Sequence, residues 1–178
     1  MTPLEQHVET WKGCMCCPLA FQRGRIVLGR GDVPCDVLFI GEAPGSSEDS
    51  LGVPFVGPAG HLLDQIVERS VPGGLRVAYT NLVACYPAEA KAAGANEPAP
   101  AEVEACRPRL EQFIAIAKPR LIVRVGKLAV AHADAGNLAE YVDIVHPAAV
   151  LRMPAAQQDM AVRRVIAAIS AAASELTQ

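Results

Sequence analysis

The stretch Asp36-Val37-Leu38-Phe39-Ile40-Gly41-Glu42-Ala43-Pro44-Gly45 decides the fold class. Its first half is a short, unbroken apolar run, the pattern of a strand buried on both faces. Its second half is a turn rich in glycine and proline, closed by Glu48 and Asp49. Three further runs read the same way: Arg76 to Val83, Arg120 to Val125 and Tyr141 to His146. Between and after them lie segments of helical spacing. In His61 to Ser70, Leu62, Leu63, Ile66 and Val67 repeat on one face. In Ala101 to Ala117, Val103, Leu110, Phe113, Ile114 and Ala117 do so, with Pro108 expected to kink or restart the helix. Lys127 to Asp134 and Ala155 to Leu176 complete the set. Strands alternating with helices predict an α/β fold: three layers around a central four-stranded parallel sheet with right-handed crossovers.

Working outward, residues 1–35 carry Cys14, Cys16, Cys17 and a Gly-rich GRGDVP, and read as a loop-rich, cysteine-bearing flap. Residues 86–100 (YPAEAKAAGANEPAP) read as a long surface loop. A chain of 178 residues, 51% hydrophobic and 20% charged, suits one domain over 1–178 and excludes a disordered chain. No apolar run reaches membrane length, and the acidic residues Glu5 and Glu9 near the start argue against a signal peptide, so a cytoplasmic protein is expected. In a reducing compartment the six cysteines read as metal ligands or buried thiols rather than disulfides. The net charge of −3 argues against a broad nucleic-acid coat. It is uneven, however: residues 41–117 carry five basic and ten acidic side chains, residues 118–178 seven and five.

Ligands of open α/β sheets bind beyond the carboxyl ends of the strands. Three strands here end in groups able to do chemistry: the Gly41–Gly45 turn with Glu42 and Glu48, the Thr80-Asn81 pair, and His146-Pro147. The turn has neither the Gly-Lys-Ser/Thr of a P-loop nor the G-x-G-x-x-G of a dinucleotide site. Cys14 and Cys17 form a C-x2-C pair, and Cys85 and Cys106 follow later; four thiolates suit either tetrahedral zinc or an iron–sulfur cluster. Cys16 is a possible replacement ligand, whereas Cys35 reads as an ordinary thiol before a strand.

Six stretches, in order, resemble the iron–sulfur (family 4) uracil-DNA glycosylases: CMCCPL (14–19), GEAPGSSED (41–49), GVPFVGPAGHLLD (52–64), TNLVACYP (80–87), EVEACRPRL (102–110) and HPAAVLR (146–152). The resemblance implies a monofunctional enzyme that hydrolyses the N-glycosidic bond of uracil in DNA and leaves an abasic site. It implies Phe55 as the stacking surface for a flipped base and Asn81 as the amide reading its edge. It makes His146 the donor to the departing base and Glu42, then Glu48, the carboxylate that handles water. The main chain of Gly41, Glu42 and Ala43 would add donors around the base. Pro58, Gly60, Val150, Leu151 and Arg152 would face DNA, with Val150 or Leu151 as a wedge and Arg152 on a phosphate. Cys14, Cys17, Cys85 and Cys106 would hold a [4Fe–4S] cluster, residues 1–35 being the cluster-binding segment. The expected partner is uracil-containing DNA, bound by a monomer with no membrane association.

Three departures from the family pattern bear on these expectations. Ala43 stands where many members of the wider superfamily carry Asp. Gly45, not a bulky aromatic, follows Pro44. The stretch from Ala129 to His146 is short and lacks an Arg-Gly-containing hairpin. They leave room for a different reading: a catalytically weak or altered-specificity member of the fold that binds DNA or nucleotides. A zinc-stabilised α/β binder is a third. An Arg-rich insertion after the second strand, the mark of a crosslinking branch, is absent between Lys91 and Pro100.

Overall fold

The computed structural model describes residues 1–94 and 97–178. Five strands form one sheet: β1 (Arg30–Gly31), β2 (Val37–Gly41), β3 (Val77–Asn81), β4 (Leu121–Val125) and β5 (Glu140–Ile144), in the order β1-β3-β2-β4-β5. The helices are α1 (Pro3–Trp11), α2 (Ser46–Leu51), α3 (Pro58–Ser70), α4 (Ala88–Ala92), α5 (Pro100–Ala117), α6 (Lys127–His132), α7 (Pro147–Leu151) and α8 (Ala155–Glu175). Strands β2 to β5 are the four expected parallel ones. The sheet has one strand more than expected, because Arg30 and Gly31 pair antiparallel with Tyr79 and Ala78. The Gly-rich segment read as loop thus also extends the sheet.

Alternate residues of each strand enter opposite faces, as the pleat requires. Leu38, Ile40, Ala78 and Ile122 pack with Val103, Leu110, Phe113, Ile114 and Ala117 of α5, the five residues read as its apolar side. Val37, Phe39, Leu121 and Val123 pack instead with Leu63 and Ile66 of α3 and with Val165, Ile169 and Ala173 of α8. Three layers result, as the alternation of strands and helices predicts.

Three local expectations need correction. Helix α5 runs unbroken through Pro108. Pro108 and Glu104 both lie on the exposed face, so the carbonyl that loses its partner is open to water. The N-terminal segment is less loop-like than its composition suggests: α1 starts with Pro3, and Thr2 and Glu5 cap it reciprocally. The 86–100 segment holds the short helix α4, and Ala95 and Asn96 within it lie outside the described residues.

Candidate active site

At the carboxyl edge of the sheet lies a cavity of about 850 Å³. Its lining includes Glu42, Ala43, Glu48, Phe55, Asn81 and His146, which come from four separate segments of the chain. The parallel register explains part of this convergence, since Gly41 pairs with Asn81 where β2 and β3 end side by side. A side chain at Gly41 would collide with Asn81 Oδ1, and its Cβ would stand 2.6 Å from Phe55 Cζ. Glycine at this position therefore lets the amide and the ring reach the cavity together.

Asn81 is 3% exposed, and its side-chain amide has no hydrogen-bond partner among the described residues. An amide that opens into a cavity with its donors and acceptor unused by the protein is a recognition group awaiting a matched ligand. Phe55 is held in the left-handed region at φ 56°, a costly conformation for an aromatic residue. Two features hold it there. Gly60 is buried directly against the Phe55 backbone, and the next two amides, of Val56 and Gly57, donate to Glu48 Oε1 at 2.9 and 2.8 Å.

The two glutamates differ sharply in what their oxygens do. Glu48 is buried, and its Oε2 accepts from the Gly45 amide at 3.0 Å while Oε1 takes the two amides just named. Among the described residues Glu42 accepts only from the Leu128 amide, through Oε1 at 3.2 Å. Its other oxygen is unengaged among the described residues. Burial pushes the Glu42 carboxyl above its usual range, partly offset by the Leu128 amide and by Lys91 and Arg152. Gly126, at φ 95°, lets the turn after β4 pass close to both catalytic candidates. A Cβ there would collide with Glu42 Oε1 and come within 3.2 Å of His146 Cβ.

His146 caps α7, its Nδ1 accepting from the Ala148 amide at 3.1 Å. An accepting Nδ1 carries no proton, so the neutral ring bears its proton on Nε2. Burial first, then the cations Arg152 and Lys91, hold its pKa down at about 4 against the opposing pull of Glu48. The imidazole is therefore a neutral donor at neutral pH.

The DNA-contact candidates separate by exposure. Leu151 is 42% exposed and Pro58 and Arg152 are exposed. Val150, by contrast, is 1% exposed and Gly60 is buried. Of the two apolar wedge candidates only Leu151 reaches the surface, and Val150 is a buried residue of α7. Sequence reading missed Gly126, Lys127 and Val130 as lining residues. With the hairpin absent, they and Asp143 to Val145 form the wall beside β5. A glycine directly after the β4 run was the available signal.

The cysteine-bearing segments meet beyond the end of β3, against the part of the core that α5 covers. Cys85 belongs to the core against which Cys17 and Cys106 pack. Arg23 ties the segments together, its Nη1 donating to Cys85 Sγ at 3.2 Å and Nη2 to the Cys14 carbonyl at 2.8 Å. Burial pushes the Cys17 and Cys85 thiols up, and each also feels Cys106. Cys16 is exposed, with its pKa raised by a hydrogen bond with Cys14. Cys35 is buried, pushed up to about 12 by burial, with no other cysteine acting on it. Among the described residues no group of three or more His, Cys, Asp or Glu side chains is gathered tightly enough to hold a single metal ion. The donor set nevertheless suits a thiolate-ligated group: four soft sulfurs, with a guanidinium that has no carboxylate partner among the described residues.

Comparison with known proteins gives the family. Residues 28–170 match the family model described as the uracil DNA glycosylase superfamily. The chain is 37% identical over 174 residues to the type-4 uracil-DNA glycosylase of Pyrobaculum aerophilum, covering 85% of this chain and 86% of that protein. It is 38% identical over 130 residues to the type-4 uracil-DNA glycosylase of Sulfurisphaera tokodaii, covering 71% of this chain and 56% of that one. It is 38% identical over 124 residues to the type-4 uracil-DNA glycosylase of Thermotoga maritima, covering 68% of this chain and 60% of that one. An α/β sheet of this topology, a cavity with polar and aromatic groups at its carboxyl edge and these matches lead to one assignment: the chain belongs to the uracil DNA glycosylase superfamily.

Proposed function

We propose that this protein releases uracil from DNA by hydrolysing the N-glycosidic bond, leaving an abasic site and an intact strand. The observation that carries the reading is the amide of Asn81, which opens into the cavity beside Phe55 with no hydrogen-bond partner among the described residues. An amide both donates and accepts, so it matches O4 and N3–H of uracil, whereas cytosine offers an amine and a bare nitrogen there. The type-4 uracil-DNA glycosylases of the comparison support the same substrate.

In this reading the flipped base stacks on Phe55 and pairs with Asn81. As the C1′–N1 bond breaks, its electron pair enters the uracil ring, and charge grows on O2. The Nε2–H of neutral His146 donates there, which stabilises the departing anion without a cation having to be desolvated. The free oxygen of Glu42 orients water towards C1′ and balances the positive charge of the sugar. A new C1′–O bond forms, the water's proton leaves to Glu42 or solvent, and uracil is protonated from solvent. Glu48 is a positioning residue for the loops after β2 and Phe55, and Leu151 and Arg152 meet the DNA beside the vacated base position.

Cys14, Cys17, Cys85 and Cys106 would hold a [4Fe–4S] cluster whose role is to tie residues 1–35 to β3 and α5; no step of the hydrolysis runs through it. We place the protein in the cytoplasm as a monomer, with residues 1–178 acting as one domain. The deciding experiment incubates the protein with a uracil-containing oligonucleotide and measures free base. Free uracil and an alkali-labile site are expected. Oligonucleotide that is bound but keeps its uracil would make the protein a binding module and overturn the reading.

A further inference from the structure

Arg109 is the largest side chain with almost no surface, 1% exposed, and no carboxylate stands within ion-pair distance of it among the described residues. It reaches from α5 to the end of β3. Nη1 donates to Thr80 Oγ1 at 2.8 Å, and Nη2 donates to the carbonyls of Asn81 at 2.5 Å and Leu82 at 2.8 Å. The Thr80 hydroxyl in turn donates a hydrogen bond to the Leu28 carbonyl at 2.9 Å. An isolated buried cation is costly, so its retention calls for a task that a neutral side chain would not do.

The peptide planes themselves suggest the task. The plane joining Asn81 to Leu82 has its carbonyl on Arg109 and its N–H on the Gly41 carbonyl, at 2.9 Å. The next plane, joining Leu82 to Val83, has its carbonyl on Arg109 and its N–H on the Glu42 carbonyl, at 3.2 Å. Both planes are thus clamped at both ends, on one side by the carbonyls of Gly41 and Glu42 and on the other by the guanidinium. Rotation of the first plane is rotation about ψ of Asn81, which swings the side chain relative to the cavity. A planar fork with several donors can hold two carbonyls and a hydroxyl in fixed relative positions, and charge shortens and strengthens each bond.

We propose that Arg109 is a positioning residue for base recognition: from behind the sheet edge it locks the two peptide planes that follow Asn81, and so aims the Asn81 amide into the cavity. This inference rests on the reading of Asn81 as the base-reading group. A side chain that only filled the core would be needed equally whether or not residue 81 recognises the base. A side chain that acts through Asn81 matters only while that amide is present.

A double-mutant cycle separates the two. Single-turnover uracil release is measured for the wild type, Arg109→Lys, Asn81→Ala and the double variant, each checked for folding by circular dichroism. Arg109→Lys keeps the charge but loses the fork, and should slow release roughly tenfold, the scale on which small misplacements act. In the Asn81→Ala background the same change should cost less than about twofold, the scatter expected of sites that no longer interact. Equal slowing in both backgrounds, or a folded Arg109→Lys enzyme at the wild-type rate, would overturn the proposal. Asn81→Ala at the wild-type rate would instead remove the base-reading assignment itself, a distinct failure. Should the lysine variant not fold, Thr80→Val takes its place in the cycle, since it removes one acceptor of the guanidinium at nearly constant volume, with the same outcomes deciding.

Discussion

The Ala148 amide donates to His146 Nδ1 at 3.1 Å, and that single bond settles which ring nitrogen carries the proton. Together with a pKa held down at about 4 by burial, it makes His146 a neutral donor through Nε2. Excision should therefore show no loss between pH 6.5, the ordinary value, and pH 8, and should decline only on the acid side. A histidine that worked as a cation would lose rate above its ordinary value. Stability follows the same sign. Below pH 6.5 the unfolded chain takes a proton that the folded ring refuses, so stability should drop as pH falls through that range towards about 4, and level beyond it. Single-turnover rates and an NMR titration of His146 check both. His146→Ala should slow excision by roughly 100-fold or more, the scale for losing one such donor, and leave binding of product DNA unchanged.

Glu42→Gln and Glu48→Gln should fail in different ways. Glu42 spends one oxygen on one amide, so its amide analogue should keep the fold while the excision rate falls roughly 100-fold, the range of general-base contributions. Glu48 spends both oxygens on three backbone amides, and glutamine would present an NH2 to at least one of them. A loss of about 1–3 kcal/mol is expected from that mismatch. Thermal unfolding beside single-turnover kinetics distinguishes the two, and a stable, inactive Glu48→Gln would reverse the roles.

Leu151 and Val150 are adjacent in sequence and opposite in exposure, 42% against 1%. Leu151→Ala should leave the melting temperature nearly unchanged and slow excision from duplex more than from single-stranded DNA, because a wedge matters only where a base must be kept from restacking. Val150→Ala should cost about 1–3 kcal/mol by emptying core volume, with the duplex to single-strand ratio unaltered. Equal ratios for the two variants would remove the wedge.

Protein purified without oxygen should be brown and contain iron and sulfide in equal amounts. Serine at Cys14, Cys17, Cys85 or Cys106 should bleach it and lower the folding yield. Cys35→Ser should keep the colour, as that thiol lies apart from the others. Colourless protein with stoichiometric zinc would replace the cluster while keeping the four ligands.

The sequence alone determined the parts of this protein that obey local periodicity. Four apolar runs became β2 to β5, and the five residues read as the apolar side of α5 are all buried. Glu42, Asn81 and His146 could be picked out because parallel strands present their carboxyl ends on one edge. Helix α1 was missed, because the Cys- and Gly-rich composition of residues 1–35 suggests loop, whereas Thr2, Pro3 and Glu5 start a capped helix there. Tertiary structure decided what depends on neighbours distant in the chain. It separated Val150 from Leu151, since the rotation of α7 is set by its packing against α3 and α8 and not by either residue's hydrophobicity. It separated Glu42 from Glu48, since only the folded loops show which oxygens meet amides. It also revealed Arg109, which in sequence is one more charge on a helix and in the fold is a buried guanidinium behind the strand end. Local sequence specifies which backbone a segment prefers; which donor finds which acceptor is decided only when segments dozens of residues apart are packed against one another.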